Sequence, residues 1–234
     1  MNIQTFDSPI AVAEAAARDA AETLSRAVTT HGRATWVLAG GSTPNLAYEI
    51  LSESYRDYLD WSKVTFLIGD ERIGPLNGPD NNWQIIEQLF LQHIPDATFI
   101  RPKSDLPAEE AAVNYADQIS LIVRFDLTWL GMGEDGHTLS LFPNHPDFNP
   151  DDDRLVIPIH NSPKPPADRI SLTLRALTRS EHTVILATGA GKKDALTSAF
   201  IDRSDLPIAQ AARQTTDTLW LLDEAATPSA GTSS

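Results

Sequence analysis

The segment 128-TWLGMGEDGHTLSLFP-143 joins a hydrophobic run to a loop that is rich in glycine and charge. The run from Leu127 to Leu130 is typical of a buried strand. The residues that follow it are three glycines, an acidic pair and a histidine: Gly131, Gly133, Glu134, Asp135, Gly136 and His137. Because glycine lets the backbone approach a ligand closely, the segment predicts a strand whose carboxyl end forms the floor of a functional site.

On both sides of this segment, apolar runs alternate with stretches of helical periodicity. Strands are predicted at 35–41, 64–72, 98–102, 126–133, 154–159, 170–177, 183–189 and 218–223. Helices are predicted at 9–29, 44–53, 82–93, 107–124, 191–202 and 205–213. The first helix has Ser8 as its N-cap and Pro9 at its first position. Strands rich in Val, Ile and Leu that alternate with helices predict an α/β fold, with a mostly parallel sheet and helices on both faces.

Length and composition narrow the class of protein. For a chain of 234 residues we expect one domain over 1–223, followed by a flexible tail over 224–234. The net charge of -14 argues against nucleic acids and anionic membranes as partners. The lack of cysteine excludes disulfides, thiolate metal sites and cysteine nucleophiles. Neither a signal peptide nor a membrane span is recognisable, so we expect a cytoplasmic protein.

Polar segments follow four of the predicted strands: 40-GGSTP-44, 69-GDERIGP-75, 131-GMGEDGH-137 and 189-GAGKK-193. Ligands of parallel sheets bind at the carboxyl ends of the strands, so we expect these segments to share one cleft. The first segment presents backbone N–H groups and hydroxyls at a helix N-terminus, which favours a phosphate. An N-capped helix after a tight turn is the alternative. The candidate phosphate-binding residues are Gly40, Gly41, Ser42 and Thr43.

The second segment sends Asp70, Glu71 and Arg72 out of a strand together. The guanidinium of Arg72 is suited to bind a carboxylate or a phosphate through two parallel hydrogen bonds. A structural Asp–Arg pair that holds a loop is the alternative. Asn82 follows a turn-rich connection, and we interpret it either as a helix N-cap or as a residue that reaches a ligand hydroxyl.

Asp135 and His137 are two residues apart, and a turn at Gly136 brings their side chains to the same cavity. A carboxylate beside an imidazole orients the ring and raises its basicity, as a general base requires. A metal pair is an alternative, but no further histidine lies at a recognisable ligand spacing, so no metal is expected. A histidine that caps a helix start is the other alternative.

Because the chain is acidic overall, an anion site needs a local group of cations. The Pro-rich segment 163-PKPPADRISLT-173 carries Lys164 and Arg169 into a predicted strand. The segment 189-GAGKK-193 adds Lys192 and Lys193 at another helix start. Either lysine could complete an anion site, and the sequence does not decide between them.

In this order, the motifs resemble those of the 6-phosphogluconolactonase family. The matching residues are GGSTP (40–44), GDER (69–72), Asn82, GMGEDGHTLSLFP (131–143), PPADRISLT (165–173) and GAGK (189–192). The resemblance spans residues from about 35 to about 222 and implies a modified Rossmann-like parallel sheet. It also implies hydrolysis of 6-phosphoglucono-δ-lactone, in the oxidative branch of the pentose phosphate pathway, by an ester hydrolase that needs no metal and no cofactor.

The wider superfamily includes glucosamine-6-phosphate isomerase/deaminases, which are the alternative. Their pattern has DEY where Arg72 completes DER here, and a ring-opening glutamate where Phe142 stands. A lactone needs no such glutamate, so both departures favour the lactonase. A non-catalytic sugar-phosphate-binding protein is a further alternative.

The resemblance also implies roles for the candidate residues. The loop 41–43 binds the 6-phosphate, with positive charge from Arg169 and Lys192. The partner is thus a small-molecule sugar-phosphate lactone, and we expect a monomer or a weak homodimer.

His137, oriented by Asp135, activates the attacking water, and N–H groups near Gly131 and Gly133 or the side chain of Arg72 stabilise the oxyanion. Asp70 fixes Arg72 or a sugar hydroxyl.

Overall fold

The computed structural model describes residues 2–200 and 204–228. Within these residues the strands are β1 (Asn2–Phe6), β2 (Ala34–Leu38), β3 (Val64–Ile68), β4 (Asp70–Arg72), β5 (Thr98–Phe99), β6 (Phe125–Gly131), β7 (Val156–Ile159), β8 (Arg169–Leu172), β9 (Ser180–Ala187) and β10 (Asp217–Asp223). The α-helices are α1 (Pro9–His31), α2 (Ser42–Ser54), α3 (Asn82–Leu89), α4 (Ala108–Ile119), α5 (Leu174–Leu177), α6 (Lys193–Ala199) and α7 (Pro207–Gln214). Short 3-10 turns lie at Trp61–Lys63, Leu91–His93 and Ala190–Lys192.

The larger of two sheets has the strand order β1–β10–β9–β6–β2–β3–β5, and each neighbouring pair is parallel. The central strand β6 is buried at six consecutive residues, from Phe125 to Leu130. A strand buried on both sides needs cover on both faces of the sheet. The predicted α/β class with a mostly parallel sheet is confirmed.

The order of the strands reverses between β2 and β6. From β2 the chain adds β3 and then β5 on one side, whereas β6, β9 and β10 lie on the other side. At such a reversal the connections leave in opposite directions, which opens a crevice at the carboxyl ends of the two strands. The ends of β2 and β6 therefore mark the expected place of a ligand site.

A second, antiparallel sheet with the order β4–β8–β7 was not predicted. The predicted strand 64–72 divides at Gly69, whose N–H donates to Leu38 O at 2.9 Å. The carbonyl of Gly69 accepts from Leu172 N at 2.8 Å. These two bonds separate β3, which stays in the larger sheet, from β4, which pairs with β8.

The predicted strand 170–177 is wrong in its second half, because α5 begins there. Thr173 Oγ1 accepts from Ala176 N at 3.2 Å and caps this helix. Strand β1 was also missed, since its sequence NIQTF has no apolar run. It lies at the edge of the larger sheet, where it pairs with β10.

The predicted start of α1 is confirmed, because Ser8 caps it and Pro9 opens it. The interpretation of Asn82 as an N-cap is wrong. Asn81 caps α3, through its side-chain oxygen, which accepts from Gln84 N at 2.9 Å. This frees the Asn82 side chain for contacts on the cleft side.

Some predictions concern residues outside the described part of the chain, namely 201–202 of the helix 191–202 and 229–234 of the tail. Residues 224–228 pack on the fold: Glu224 N donates to Phe6 O at 2.9 Å, and Ala226 is buried. None of the helices within residues 2–200 and 204–228 is long and apolar enough to cross a membrane.

Candidate active site

A cleft of about 310 Å³ opens at the carboxyl ends of β2 and β6. The four polar segments that follow strands converge on it. The predicted site residues that line it are Gly40, Gly41, Ser42, Thr43, Asp70, Arg72, Asn82, Gly131, Gly133, His137, Arg169 and Lys192. Asp135 reaches the cleft through His137, which it contacts directly.

The side chains of Asp135 and His137 form a close pair on the loop after β6. Asp135 Oδ1 and His137 Nδ1 are 2.5 Å apart. Partial burial acts to raise the pKa of Asp135, but the attraction and hydrogen bonds of His137 outweigh it, and this pKa is lowered. The ionised carboxylate accepts the Nδ1 proton, which leaves the lone pair of Nε2 for another proton.

The ring of His137 lies in an apolar setting. Its centroid is 4.5 Å from that of Phe142, and its side chain is 16% exposed. Burial is the largest effect on the pKa of His137 and lowers it. Lys164 lowers it as well, Asp135 and Asp70 act to raise it, and the net shift is downward. His137 is therefore neutral at pH 7 and able to act as a base.

Gly133 shapes this pair. A Cβ atom at Gly133 would overlap both the His137 ring and the Asp135 carboxylate. The N–H of Gly133 donates to His137 O at 2.8 Å, which closes the loop. The Gly133 N–H is therefore already bound within the loop, and the predicted oxyanion donors near Gly131 and Gly133 stay a prediction.

Asp70 is predicted to fix either Arg72 or a sugar hydroxyl, and its side chain does not bind Arg72. Its Oδ2 accepts from Ser140 Oγ at 2.6 Å, and its carbonyl accepts from Asn82 Nδ2 at 3.1 Å. Arg72 Nη1 donates instead to Asp80 O at 2.7 Å. Arg72 Nε is buried and has no hydrogen-bond partner within the described part of the chain. Its Nη2 donates to no group of the described residues either, so Arg72, which lines the cleft, keeps a donor group there.

Arg169 is committed largely to the Pro-rich loop. Of its five N–H groups, one donates to Pro166 O at 3.1 Å and two donate to Lys164 O and Pro165 O at 2.8 and 3.1 Å. A fourth reaches Ser140 Oγ at 3.4 Å. Burial lowers the pKa of Arg169, although Asp70 opposes this effect. Arg169 therefore holds the loop in place and retains one N–H group for a ligand.

The loop 40–43 leads into α2. Gly41 is the N-cap with φ of 121°, a backbone conformation that favours glycine. The first N–H groups of a helix have no intrahelical partner, so Ser42 and Thr43 present theirs to the cleft. Thr43 Oγ1 lies 2.7 Å from Thr188 Oγ1 on the loop after β9. The arrangement is a helix N-terminus open to an anion.

Lysines from two loops give the cleft positive charge. Lys192 lines the cleft and Lys193 does not, among the residues that the structure describes. Burial lowers the pKa of Lys192, whereas the attraction of Glu134 raises it and Lys164 lowers it. Lys164 also lines the cleft. Of the two lysines between which the sequence did not decide, Lys192 is therefore the one that a ligand in the cleft can meet.

The predicted site residues do not include two polar residues that line the cleft, Lys164 and Thr188, or Ser140, which donates to Asp70. For Lys164 the signal was present, because the Pro-rich segment that carries it was singled out. Ser140 and Thr188 gave no signal, since their partners Asp70 and Thr43 lie far away along the chain. Over residues 2–200 and 204–228, no three His, Cys, Asp or Glu side chains are grouped as metal ligands.

Comparison with known proteins identifies the family of this chain. The family model described as glucosamine-6-phosphate isomerases/6-phosphogluconolactonase matches residues 7–220. The chain is 36% identical to a 6-phosphogluconolactonase of Streptomyces coelicolor, over 92% of this chain and 89% of that protein.

Solved structures agree with the family match. A 6-phosphogluconolactonase from Trypanosoma cruzi superposes with a TM-score of 0.86 at 26% identity, over 96% of this chain and 95% of that one. One from Shewanella baltica superposes with a TM-score of 0.84 at 30% identity, over 94% and 97%. The predicted resemblance is confirmed: the chain belongs to the family of glucosamine-6-phosphate isomerases and 6-phosphogluconolactonases.

Proposed function

We propose that this protein hydrolyses 6-phospho-D-glucono-1,5-lactone to 6-phospho-D-gluconate, the lactonase step of the pentose phosphate pathway. The relatives from Streptomyces coelicolor, Trypanosoma cruzi and Shewanella baltica are 6-phosphogluconolactonases by name. The observation that carries the proposal is the pair of His137 and Asp135, in which a neutral imidazole faces a cleft with an anion site.

In the proposed reaction, His137 Nε2 takes a proton from water as the water oxygen attacks the lactone carbonyl carbon. Asp135 stabilises the imidazolium that forms. When the tetrahedral intermediate collapses, the bond from this carbon to the ring oxygen breaks, and His137 returns the proton to that oxygen. General acid–base catalysis of this kind contributes about 10²- to 10⁴-fold in rate.

The developing oxyanion needs a donor. Arg72 is the best candidate of those predicted, because its side chain lines the cleft and only its Nη1 donates to another group of the described residues. A donor that is already desolvated and held in place stabilises charge as it forms, with little reorganisation. Asn82, whose amide lies at the same wall, is suited to a sugar hydroxyl.

The phosphate lies, in this proposal, at the start of α2. Ser42 and Thr43 offer backbone N–H groups there, and Lys192 and Lys164 supply charge. The role of Arg169 is mainly to hold the 164–166 loop, with its remaining N–H group directed to the anion.

The activity is tested by following 6-phosphogluconate from the lactone, with spontaneous hydrolysis subtracted and with and without a chelator. We expect turnover that the chelator leaves unchanged. Ammonia release from glucosamine 6-phosphate, without lactone hydrolysis, would contradict the proposal and favour the isomerase/deaminase branch of the family. Phe142, apolar and buried against His137, favours the lactonase.

The anion site is tested by the substitution Lys192→Ala. We expect the affinity for 6-phosphogluconate to fall about tenfold, which corresponds to about 1.4 kcal/mol. Lys193→Ala is the matched control, because Lys193 lies next in sequence but outside the lining of the cleft. Equal affinity of the Lys192 variant and the wild type, measured by calorimetry, would show that the phosphate lies elsewhere.

A further inference from the structure

Glu71 is a buried carboxylate with no part in the proposed reaction. It lies on β4 between Asp70 and Arg72, which both line the cleft, but it is not among the described residues that line it. Its relative exposure is 0%. Burying a carboxylate without hydrogen-bond partners costs much free energy, so Glu71 must have partners that compensate for its burial.

Its two oxygens accept three backbone N–H groups. Oε1 accepts from Arg72 N and from Asn82 N, each at 2.8 Å. Oε2 accepts from Trp83 N, also at 2.8 Å. Two of these donors belong to the first turn of α3, where the helix dipole favours a negative charge. Glu71 thus fastens the start of α3 to strand β4.

This connection fixes the place of the Asn82 side chain. Asn82 Nδ2 donates to Asp70 O at 3.1 Å, and its amide packs so closely on the loop 40–43 that a Cβ atom at Gly40 would overlap it. A shift of the first turn of α3 would therefore move Asn82 against the phosphate loop. The same carboxylate also holds the backbone of Arg72.

We propose that Glu71 is a positioning residue for the cleft, which holds Asn82 and Arg72 in the geometry that the substrate requires. This inference rests on the proposed lactonase function. Glu71 acts through its three N–H partners and does not itself contact the substrate. A displacement of about 1 Å of a positioned group can lower a rate by about 10²-fold.

The charge of Glu71 matters as well as its shape. A glutamine of the same size offers one acceptor oxygen, and its NH2 group would face an N–H donor. Burial raises the pKa of Glu71 to about 7, against the lowering effect of the three N–H groups. Experiments at pH 8 therefore compare an ionised Glu71 with its neutral replacement.

The variant Glu71→Gln is predicted to lose about 10- to 100-fold in kcat/KM at pH 8. Asp126→Asn is the matched control, because Asp126 is also buried and accepts a backbone N–H, from Thr35 at 2.8 Å, at the amino end of β6, away from the cleft. We expect this control to lose thermal stability but to keep kcat and KM.

A double-mutant cycle with Asn82→Ala separates positioning from general stability. If Glu71 acts through Asn82, then Glu71→Gln causes a clearly smaller loss in the Asn82→Ala background than in the wild type. Glu71→Asp, which keeps the charge but shortens the side chain, is the second variant and should show an intermediate loss.

Inactivity of the wild type would overturn the lactonase proposal and this inference together. An active wild type with a Glu71→Gln variant of equal kcat/KM would overturn the inference alone. So would a loss that is the same in both backgrounds of the cycle.

Discussion

Two histidines of this protein are each paired with a carboxylate, yet their pKa values are shifted in opposite directions. In the cleft, His137 Nδ1 is 2.5 Å from Asp135 Oδ1. Near the amino end of β9, away from the cleft, His182 Nδ1 is 2.7 Å from Asp217 Oδ2. Both side chains are 16% exposed. The pKa of His137 is lowered, whereas the pKa of His182 is raised.

The difference lies in the number of carboxylates. Burial is the largest effect at both histidines and acts to lower the pKa. At His182 a second carboxylate, Asp19, approaches Nε2 at 3.2 Å, and the two carboxylates together outweigh burial. At His137 one carboxylate, Asp135, is hydrogen-bonded to the ring; Asp70 raises the pKa more weakly, and Lys164 adds to the lowering. A second hydrogen-bonded carboxylate thus accounts for the opposite direction of the shift at His182.

The substitution Asp135→Asn is expected to have the largest effect. Without the carboxylate, nothing fixes the proton on Nδ1 or stabilises the imidazolium, so we predict a fall in kcat of about 10²- to 10⁴-fold. Asp217→Asn makes the same change beside His182 and should leave kcat unchanged. The measurement is steady-state lactonase kinetics on both variants. Equal kcat values for Asp135→Asn and Asp217→Asn would show that the pair of His137 and Asp135 has no special role in catalysis.

Gly133→Ala tests the geometry of the cleft pair. Because the new Cβ atom would overlap the His137 ring and the Asp135 carboxylate, we predict a loss in kcat of about 10- to 100-fold. At Gly131 a Cβ atom would lie 3.5 Å from Gly40 O, an ordinary contact. Gly131→Ala is therefore the control, and a larger loss in this control than in Gly133→Ala would contradict the account.

The smallest predicted effect is that of His182→Asn on the free energy of unfolding. The pKa of His182 is raised above the value of 6.5 for a free histidine, so its contribution to folding is complete below about pH 6.5 and is lost as the pH rises through the folded-state pKa. We predict that His182→Asn lowers the free energy of unfolding by on the order of 1 kcal/mol at pH 6.

Urea unfolding of the wild type and His182→Asn at pH 6 and pH 9 measures this contribution. The difference between the two proteins should shrink at pH 9. A difference that grows with pH would show that His182 is bound as the neutral form.

The sequence predicted most of the large sheet, because most of its strands are apolar runs bounded by glycine or polar residues. It missed β1, whose sequence NIQTF has no apolar run and which joins the sheet by pairing with β10. It also missed the breaks at Gly69 and Thr173, where hydrogen bonds to distant or capping groups decide the local conformation. Tertiary contacts of this kind leave no periodic signal.

For the site, too, the sequence predicted which residues come together but not how they are hydrogen-bonded. Strand ends and the Asp-x-His spacing were enough to bring its residues to one cleft. The allocation of hydrogen bonds was not predictable, because it joins distant segments. Arg169 donates to the loop at 164–166, and Asp70 accepts from Ser140. These bonds decide which donors remain for a substrate.

The central claim is that His137, and not histidine–carboxylate pairing in general, performs the chemistry. It is tested most directly by lactone hydrolysis with His137→Asn and His182→Asn, together with their affinities for 6-phosphogluconate. We predict that His137→Asn loses at least about 10²-fold in kcat while it binds the product as the wild type does, and that His182→Asn keeps full activity. A His137→Asn protein with kcat close to that of the wild type would contradict the account.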